Sequence, residues 1–95
     1  MALADITAVL DEAVAEGSKY AFVLVKTHSN DESIIIPADK IEEKKAFYEE
    51  TFDAEGNHKT YPDIALLHAV HGDAQANITL HEEYYGGLEE ETEEG

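Results

Sequence analysis

The chain has 95 residues, of which 43% are hydrophobic. It contains 22 acidic and six basic residues, which gives a formal net charge of −16. This length predicts one domain with a modest core, and the absence of cysteine excludes disulfides, thiolate metal sites and cysteine nucleophiles. The charge disfavours binding to nucleic acid and to anionic membranes, and it favours basic proteins or cations as partners.

The N-terminal half predicts one helix and two strands. Four apolar residues recur at helical spacing: Leu3, Ile6, Leu10 and Val14. Because Gly17 is typical of the position just after a helix end, we expect this helix to cover 3–16. Two stretches rich in β-branched and aromatic residues, 19–26 and 32–37, predict strands, and the turn-forming residues between them favour a hairpin.

The middle of the chain predicts a second helix and a third strand. Asp39 followed by Glu42 matches the spacing of a capping box, so we expect a helix over roughly 40–52. Segment 53–63 contains turn-forming residues and predicts a long loop. The apolar stretch 64–70 then predicts a strand that ends before the sequence His-Gly-Asp.

The last part of the chain contains a segment that fits two kinds of secondary structure. Segment 74–85 fits helical spacing, which we favour, although part of it also fits a short strand. The order α-β-β-α-β, followed by this short element, predicts an α+β fold in a single domain, 1–85. We expect a sheet of three or four strands, at least partly antiparallel, with helices on one face. Residues 86–95 are rich in glutamate and predict a disordered tail.

The second predicted helix has a continuous acidic face. At 100° per residue, Ile41, Tyr48 and Phe52 form a buried stripe, and Lys44 and Lys45 lie beside it. Six carboxylates share an arc away from this stripe: Asp39, Glu42, Glu43, Glu49, Glu50 and Asp53. Over a helix of roughly 21 Å they lie about 4 Å apart along the axis, close to the phosphate spacing of about 3.4 Å in one DNA strand.

Two interpretations of this acidic arc remain open. It is either a solvated helix face that serves solubility or a partner-binding face that mimics DNA. The helix dipole favours acids in the first turn but opposes Glu49, Glu50 and Asp53 near the end. The first predicted helix also has acidic residues on the side opposite its apolar residues, but fewer of them.

Other candidate sites are weaker. His68 and His71 are three residues apart and Asp73 follows, a spacing that suggests a metal site. On a strand, however, the two histidines would point to opposite faces, so we expect no metal and no cofactor. None of the serines, Ser18 included, has the sequence context of a catalytic nucleophile. We therefore expect no enzymatic activity.

One resemblance adds biological context. The residues that carry it are Lys19-Tyr20, Pro37, Lys44-Lys45, Tyr48, Phe52-Asp53 and Gly72-Asp73. Over about residues 18–73 the chain resembles small acidic accessory proteins of tailed bacteriophages and prophages, a functionally uncharacterised group. The resemblance implies a phage protein that acts on a host protein by binding it, and it transfers no site residues.

These observations together predict a non-enzymatic inhibitor of a host nucleic-acid-binding or defence protein. Its partner-binding residues would be the six carboxylates of the arc, and it would bind neither nucleic acid nor membrane directly. We expect a cytoplasmic location in the host, because the N-terminal segment has acidic residues and no basic region of the kind found in signal peptides. The alternatives are an oligomeric sponge for a signalling nucleotide and a structural or assembly homo-oligomer of a phage.

Overall fold

The computed structural model describes residues 1–82 and 84 and has an α+β architecture. Its elements are α1 (Leu3–Glu16), β1 (Tyr20–Lys26), β2 (Asp31–Pro37), a 3₁₀ turn (Ala38–Lys40), α2 (Ile41–Thr51) and β3 (Ala65–Gly72). A third helix, α3, begins at residue 76 and includes residues 76–82 and 84. The predicted fold class is confirmed. The helix favoured for segment 74–85 is confirmed for residues 76–82 and 84, whereas residues 74 and 75 form a turn. The predicted tail, 86–95, and the domain end at 85 lie outside the described residues.

The three strands form an antiparallel sheet in the order β2-β1-β3. The central strand, β1, pairs Tyr20 with Pro37 on one side and with Gly72 on the other. A β-bulge in β3 shifts the register, because Leu24 lies opposite His68 whereas Val25 lies opposite Leu66. A bulge of this kind reverses the alternation of side chains along a strand.

The helices α1 and α2 cover one face of the sheet and form the larger core. Its buried residues are Ile6, Leu10, Ala13, Ala21, Val23, Val25, Ile36, Ile41, Tyr48, Phe52, Leu66 and Ala69. Val14 recurs at helical spacing with the other apolar residues of α1, but it is 46% exposed. Val14 lies about 80° around the helix from Ile6, and Ala13 takes the buried position instead.

The third helix covers the opposite face of the sheet. Phe22 and Leu24 of β1 pack there against Ala76 and Leu80 of α3 in a second, smaller core. The expectation of helices on one face therefore holds for α1 and α2 only. Because both faces of β1 are covered, its central residues are buried on both sides.

Two predicted boundaries are corrected. The capping box of Asp39 and Glu42 does not form: α2 starts after the 3₁₀ turn, Lys40 occupies the N-cap position, and no side chain caps it. The third strand does not end at residue 70 but continues through His71 and Gly72, because these residues pair with Ala21 and Tyr20 of β1. Among the described residues, no helix is long and apolar enough to cross a membrane.

Candidate functional site

The inner side of α2 fixes the direction of its acidic face. Ile41, Tyr48 and Phe52 are at most 3% exposed, as the helical spacing predicted, and they pack into the larger core. Consequently the opposite side of the helix faces solvent. Four glutamates of the predicted arc are exposed there: Glu42, Glu43, Glu49 and Glu50.

The two aspartates of the predicted arc have different surroundings. Asp39 is exposed in the 3₁₀ turn just before α2. Asp53 follows the helix and is half-buried, and its Oδ1 atom accepts hydrogen bonds from the backbone N–H groups of Glu55 and Asn57, both at 3.0 Å. Asp53 therefore organises the loop after α2. Hereafter the α2 acidic face means Asp39, Glu42, Glu43, Glu49 and Glu50.

The three lysines near this face are engaged within the protein. Lys45 Nζ donates to Asp11 Oδ1 of α1 at 2.8 Å. Lys40 Nζ lies 3.9 Å from Glu43 Oε2, and Lys44 Nζ lies 5.1 Å from the centre of the Phe47 ring. Within the described residues, no ion pair involves the other three glutamates of the face: Glu42, Glu49 and Glu50.

Lys45 joins the acidic residues of the two helices. The hydrogen bond that Lys45 donates to Asp11 is the main reason that the pKa of Lys45 is raised. The charges of Asp11, Glu49 and Glu42 raise this pKa further, and burial partly opposes them. The ammonium group thus lies where acidic residues of α1 and α2 converge. Repulsion between the two helices is offset at this point, while the carboxylates farther out remain exposed.

Tyr48 contributes an unusual polar group to the inner side of α2. The residue is 1% exposed, and its hydroxyl has no hydrogen-bond partner among the described residues. Burial raises the pKa of Tyr48 to about 12. The centre of its ring lies 5.6 Å from that of Phe47 and 5.9 Å from that of Phe52, so Tyr48 packs against both aromatic rings.

A second group of polar side chains, the His71 cluster, lies at the C-terminal end of α1. It comprises Glu12, Glu16, Ser18 and His71. The ring of His71 accepts or donates two hydrogen bonds: Nδ1 lies 2.8 Å from Ser18 Oγ, and Nε2 lies 3.2 Å from Glu12 Oε1. A carboxylate oxygen of Glu16 lies within 4.8 Å of both Glu12 and His71 ligand atoms.

The prediction that His68 and His71 point to opposite faces is confirmed. His71 pairs with Ala21 and faces α1, whereas His68 pairs with Leu24 and its ring lies 6.4 Å from that of Tyr84 in α3. Sequence spacing missed the partners of His71 because Glu12 and Ser18 are 59 and 53 residues away. No local pattern signals such a contact.

Ser18, His71 and Glu12 are connected by hydrogen bonds and are the residue types of a nucleophilic triad. Their position at the end of α1, however, disfavours nucleophilic catalysis. The backbone N–H of Gly17 donates to Val14 O, and that of Ser18 donates to Ala13 O, so both close the end of α1. They are therefore not available to stabilise an oxyanion. The negative end of the helix dipole at the same place disfavours an anionic intermediate and favours a cation.

A cleft of about 520 Å³ begins at His71 and continues between the end of β3 and α3. Its lining residues are His71, Gly72, Asp73, Gln75, Ala76, Ile78, Thr79 and Glu82. Two of these lining residues, Asp73 and Glu82, are acidic. Their charge fits that of the molecule as a whole and disfavours an anionic ligand such as a nucleotide.

Comparisons with known proteins give no relative from which a function could be transferred. No family model, no curated protein and no solved structure matches the chain. The charges and contacts of the described residues are therefore the basis on which we infer a function.

Proposed function

We propose that this protein is a non-enzymatic inhibitor that binds a basic, nucleic-acid-binding host protein through the α2 acidic face. The exposed carboxylates of this face would occupy the positions that phosphates take on the partner. The observation that carries the proposal is the exposure of Glu42, Glu49 and Glu50 without an ion pair among the described residues.

The placement of the lysines supports this proposal. A helix face that served stability alone would gain from lysines placed four residues after the glutamates on the same face. Here Lys45 instead reaches across to Asp11 of α1, and Lys44 lies over the Phe47 ring. Lys45 thus links the two helices, while Glu42, Glu49 and Glu50 remain available to an external cationic surface.

Charge complementarity also determines how such binding would behave. An acidic face accelerates encounter with a basic partner and rejects nucleic acid and anionic surfaces. Because the interaction is between exposed charges, it would weaken steeply as salt concentration rises. The resemblance to phage accessory proteins directs the search for the partner to bacterial proteins that bind DNA or RNA.

The proposal is tested by affinity capture from a nuclease-treated bacterial lysate with the full chain as bait. We expect recovery of a nucleic-acid-binding protein that is released by high salt and, specifically, by a short DNA or RNA duplex. Release by duplex matters because mimicry requires that the bait and the nucleic acid compete for one surface.

A matched pair of variants separates the face from the overall charge. Glu42→Gln, Glu49→Gln and Glu50→Gln in one chain should abolish capture. Three exposed glutamates elsewhere serve as the control, because the same change in net charge should there leave capture intact: Glu32→Gln, Glu55→Gln and Glu82→Gln. Capture that survives the first set, or that duplex does not reverse, would refute the proposal.

A further inference from the structure

We infer that the end of α1 carries a divalent transition-metal site, with Zn²⁺ as its best-suited ion, formed by Glu12, Glu16 and His71. This inference is independent of the proposed function. One ligand atom from each residue already lies within 4.8 Å of the other two. Ligands bound to one Zn²⁺ at about 2.1 Å lie roughly 3.4 Å apart in tetrahedral geometry, so small side-chain rotations suffice.

The three ligands lie on two rigid elements, α1 and β3, which hold them close together. Glu12 and Glu16 are one turn apart on α1, so their side chains project from the same side of the helix. His71 comes from β3, and the bulge in that strand turns its ring towards α1. The ring is only 16% exposed, which restricts its motion, whereas the Glu12 side chain is 61% exposed and can adjust.

Ser18 provides the orienting contact that a metal-bound histidine needs. Its Oγ lies 2.8 Å from Nδ1 of His71, which leaves Nε2 directed at the carboxylates. Without a metal, a neutral ring that donates from Nε2 to Glu12 accepts at Nδ1 from the Ser18 hydroxyl. With a metal on Nε2, the ring donates from Nδ1 and the hydroxyl accepts, and a serine can do both.

The local charges at this position favour a cation. Two carboxylates one turn apart repel each other, and they lie at the negative end of the α1 dipole. The last turn of α1 contains no basic residue that would offset either effect. A bound divalent cation would offset both at once, which gives the site a source of affinity beyond the three ligand bonds.

The ligand set selects among cations. An imidazole nitrogen suits Zn²⁺ and its transition-metal neighbours, whereas Mg²⁺ and Ca²⁺ prefer oxygen ligands alone. Two carboxylates and one imidazole complete three of four tetrahedral positions, and water would occupy the fourth. We therefore expect Zn²⁺ to bind with one ion per cluster and Mg²⁺ not to compete for it.

The test is calorimetry of the full chain with ZnCl₂ alone. Glu16→Gln should weaken the tightest binding event by about tenfold or more, since each tenfold is about 1.4 kcal/mol. Glu49→Gln on α2 is the matched control: it makes the same charge change at another exposed glutamate and should leave that event unchanged. Ser18→Ala should weaken it about tenfold as well, through the loss of the contact that orients His71.

A second measurement does not depend on variants. In NMR spectra of the histidine side chains, Zn²⁺ should shift the ring nitrogens of His71 before those of the other four histidines. An equal loss of affinity in Glu16→Gln and Glu49→Gln would show that Zn²⁺ responds only to net charge and would overturn the site. The absence of tight binding, first shifts at another histidine, or equal binding of Mg²⁺ would overturn it too.

Discussion

The α2 acidic face and the His71 cluster are both acidic, yet their carboxylates are arranged in opposite ways. On α2 the glutamates spread along a solvent-exposed helix face, and among the described residues only Glu43 of these glutamates has a lysine partner. At the end of α1, Glu12 and Glu16 converge on one half-buried imidazole. The same residue type thus occurs in two arrangements, one spread along a helix face and one converging on a single side chain.

This difference has a physical consequence. Spread charges act together at long range, and their effect decays over a Debye length of about 8 Å at physiological salt. Converging ligands act only on an ion placed between them, at bond distance, and their effect depends on ligand identity. The α2 acidic face should therefore respond to salt and to charge reversal, whereas the His71 cluster should respond to single ligand substitutions.

The largest effect is expected for charge reversal on α2. Glu42→Lys with Glu49→Lys should weaken binding to the captured partner by at least about 100-fold at low salt, because attraction becomes repulsion. Glu12→Lys with Glu16→Lys is the matched control and should change the affinity far less. Calorimetry at several salt concentrations measures both, and equal losses would mean that only net charge matters.

The second effect concerns stability in the presence of zinc. At a free Zn²⁺ concentration about 100 times the dissociation constant, the free energy of unfolding should rise by about 2.7 kcal/mol. Glu12→Gln with Glu16→Gln should remove this increase, because it removes two ligands. Glu42→Gln with Glu49→Gln should retain it. Urea denaturation with and without ZnCl₂ provides the measurement, and stabilisation that persists in the first variant would place the ion elsewhere.

The third effect concerns the buried side of α2, opposite its acidic face. Between pH 10 and pH 12 the unfolded chain loses the proton of Tyr48 while the folded chain keeps it, since burial raises the pKa of Tyr48 to about 12. The free energy of unfolding should therefore fall as pH rises through this range, by about 2–3 kcal/mol in total. Tyr48→Phe should lack this part of the decline.

At neutral pH the same variant should be more stable by about 1 kcal/mol, because it removes a buried hydroxyl that has no partner among the described residues. Parallel urea titrations of both chains at pH 7 and across the alkaline range would show this. If the free energy of unfolding fell equally steeply with pH in the original protein and in Tyr48→Phe, the Tyr48 hydroxyl would have to reach water. Tyr61→Phe, at a 59% exposed tyrosine, is the control.

The helices and strands were predictable because their apolar periodicity is local. The spacing of Ile41, Tyr48 and Phe52 predicted the buried side of α2 and, with it, the direction of the glutamates. The start of α2 was less predictable from the sequence. Asp39 and Glu42 have capping-box spacing, but the 3₁₀ turn after Pro37 places Lys40 at the N-cap. A turn of that kind depends on how the preceding strand docks.

The His71 cluster was not predictable for two reasons. Its members come from α1 and β3, which no short-range pattern connects. In addition, strict alternation along β3 would have placed His71 on the face opposite Leu66, and the bulge brings both to the α1 side. The segment 64–70 contains no glycine or proline that would have signalled this bulge.

The smallest effect is expected at Lys45, which links α2 to α1 through its hydrogen bond to Asp11. Lys45→Gln should destabilise the protein at about 0.01 M salt, where the Debye length is about 30 Å, and much less at about 1 M, where it is about 3 Å. Lys40→Gln should do little at either concentration, because its 3.9 Å pair with Glu43 lies on the surface. Urea denaturation of both variants at the two concentrations tests this. A loss that persists at high salt would mean that the Lys45 stem acts by packing, and the acidic residues of α1 and α2 would then be electrostatically separate surfaces.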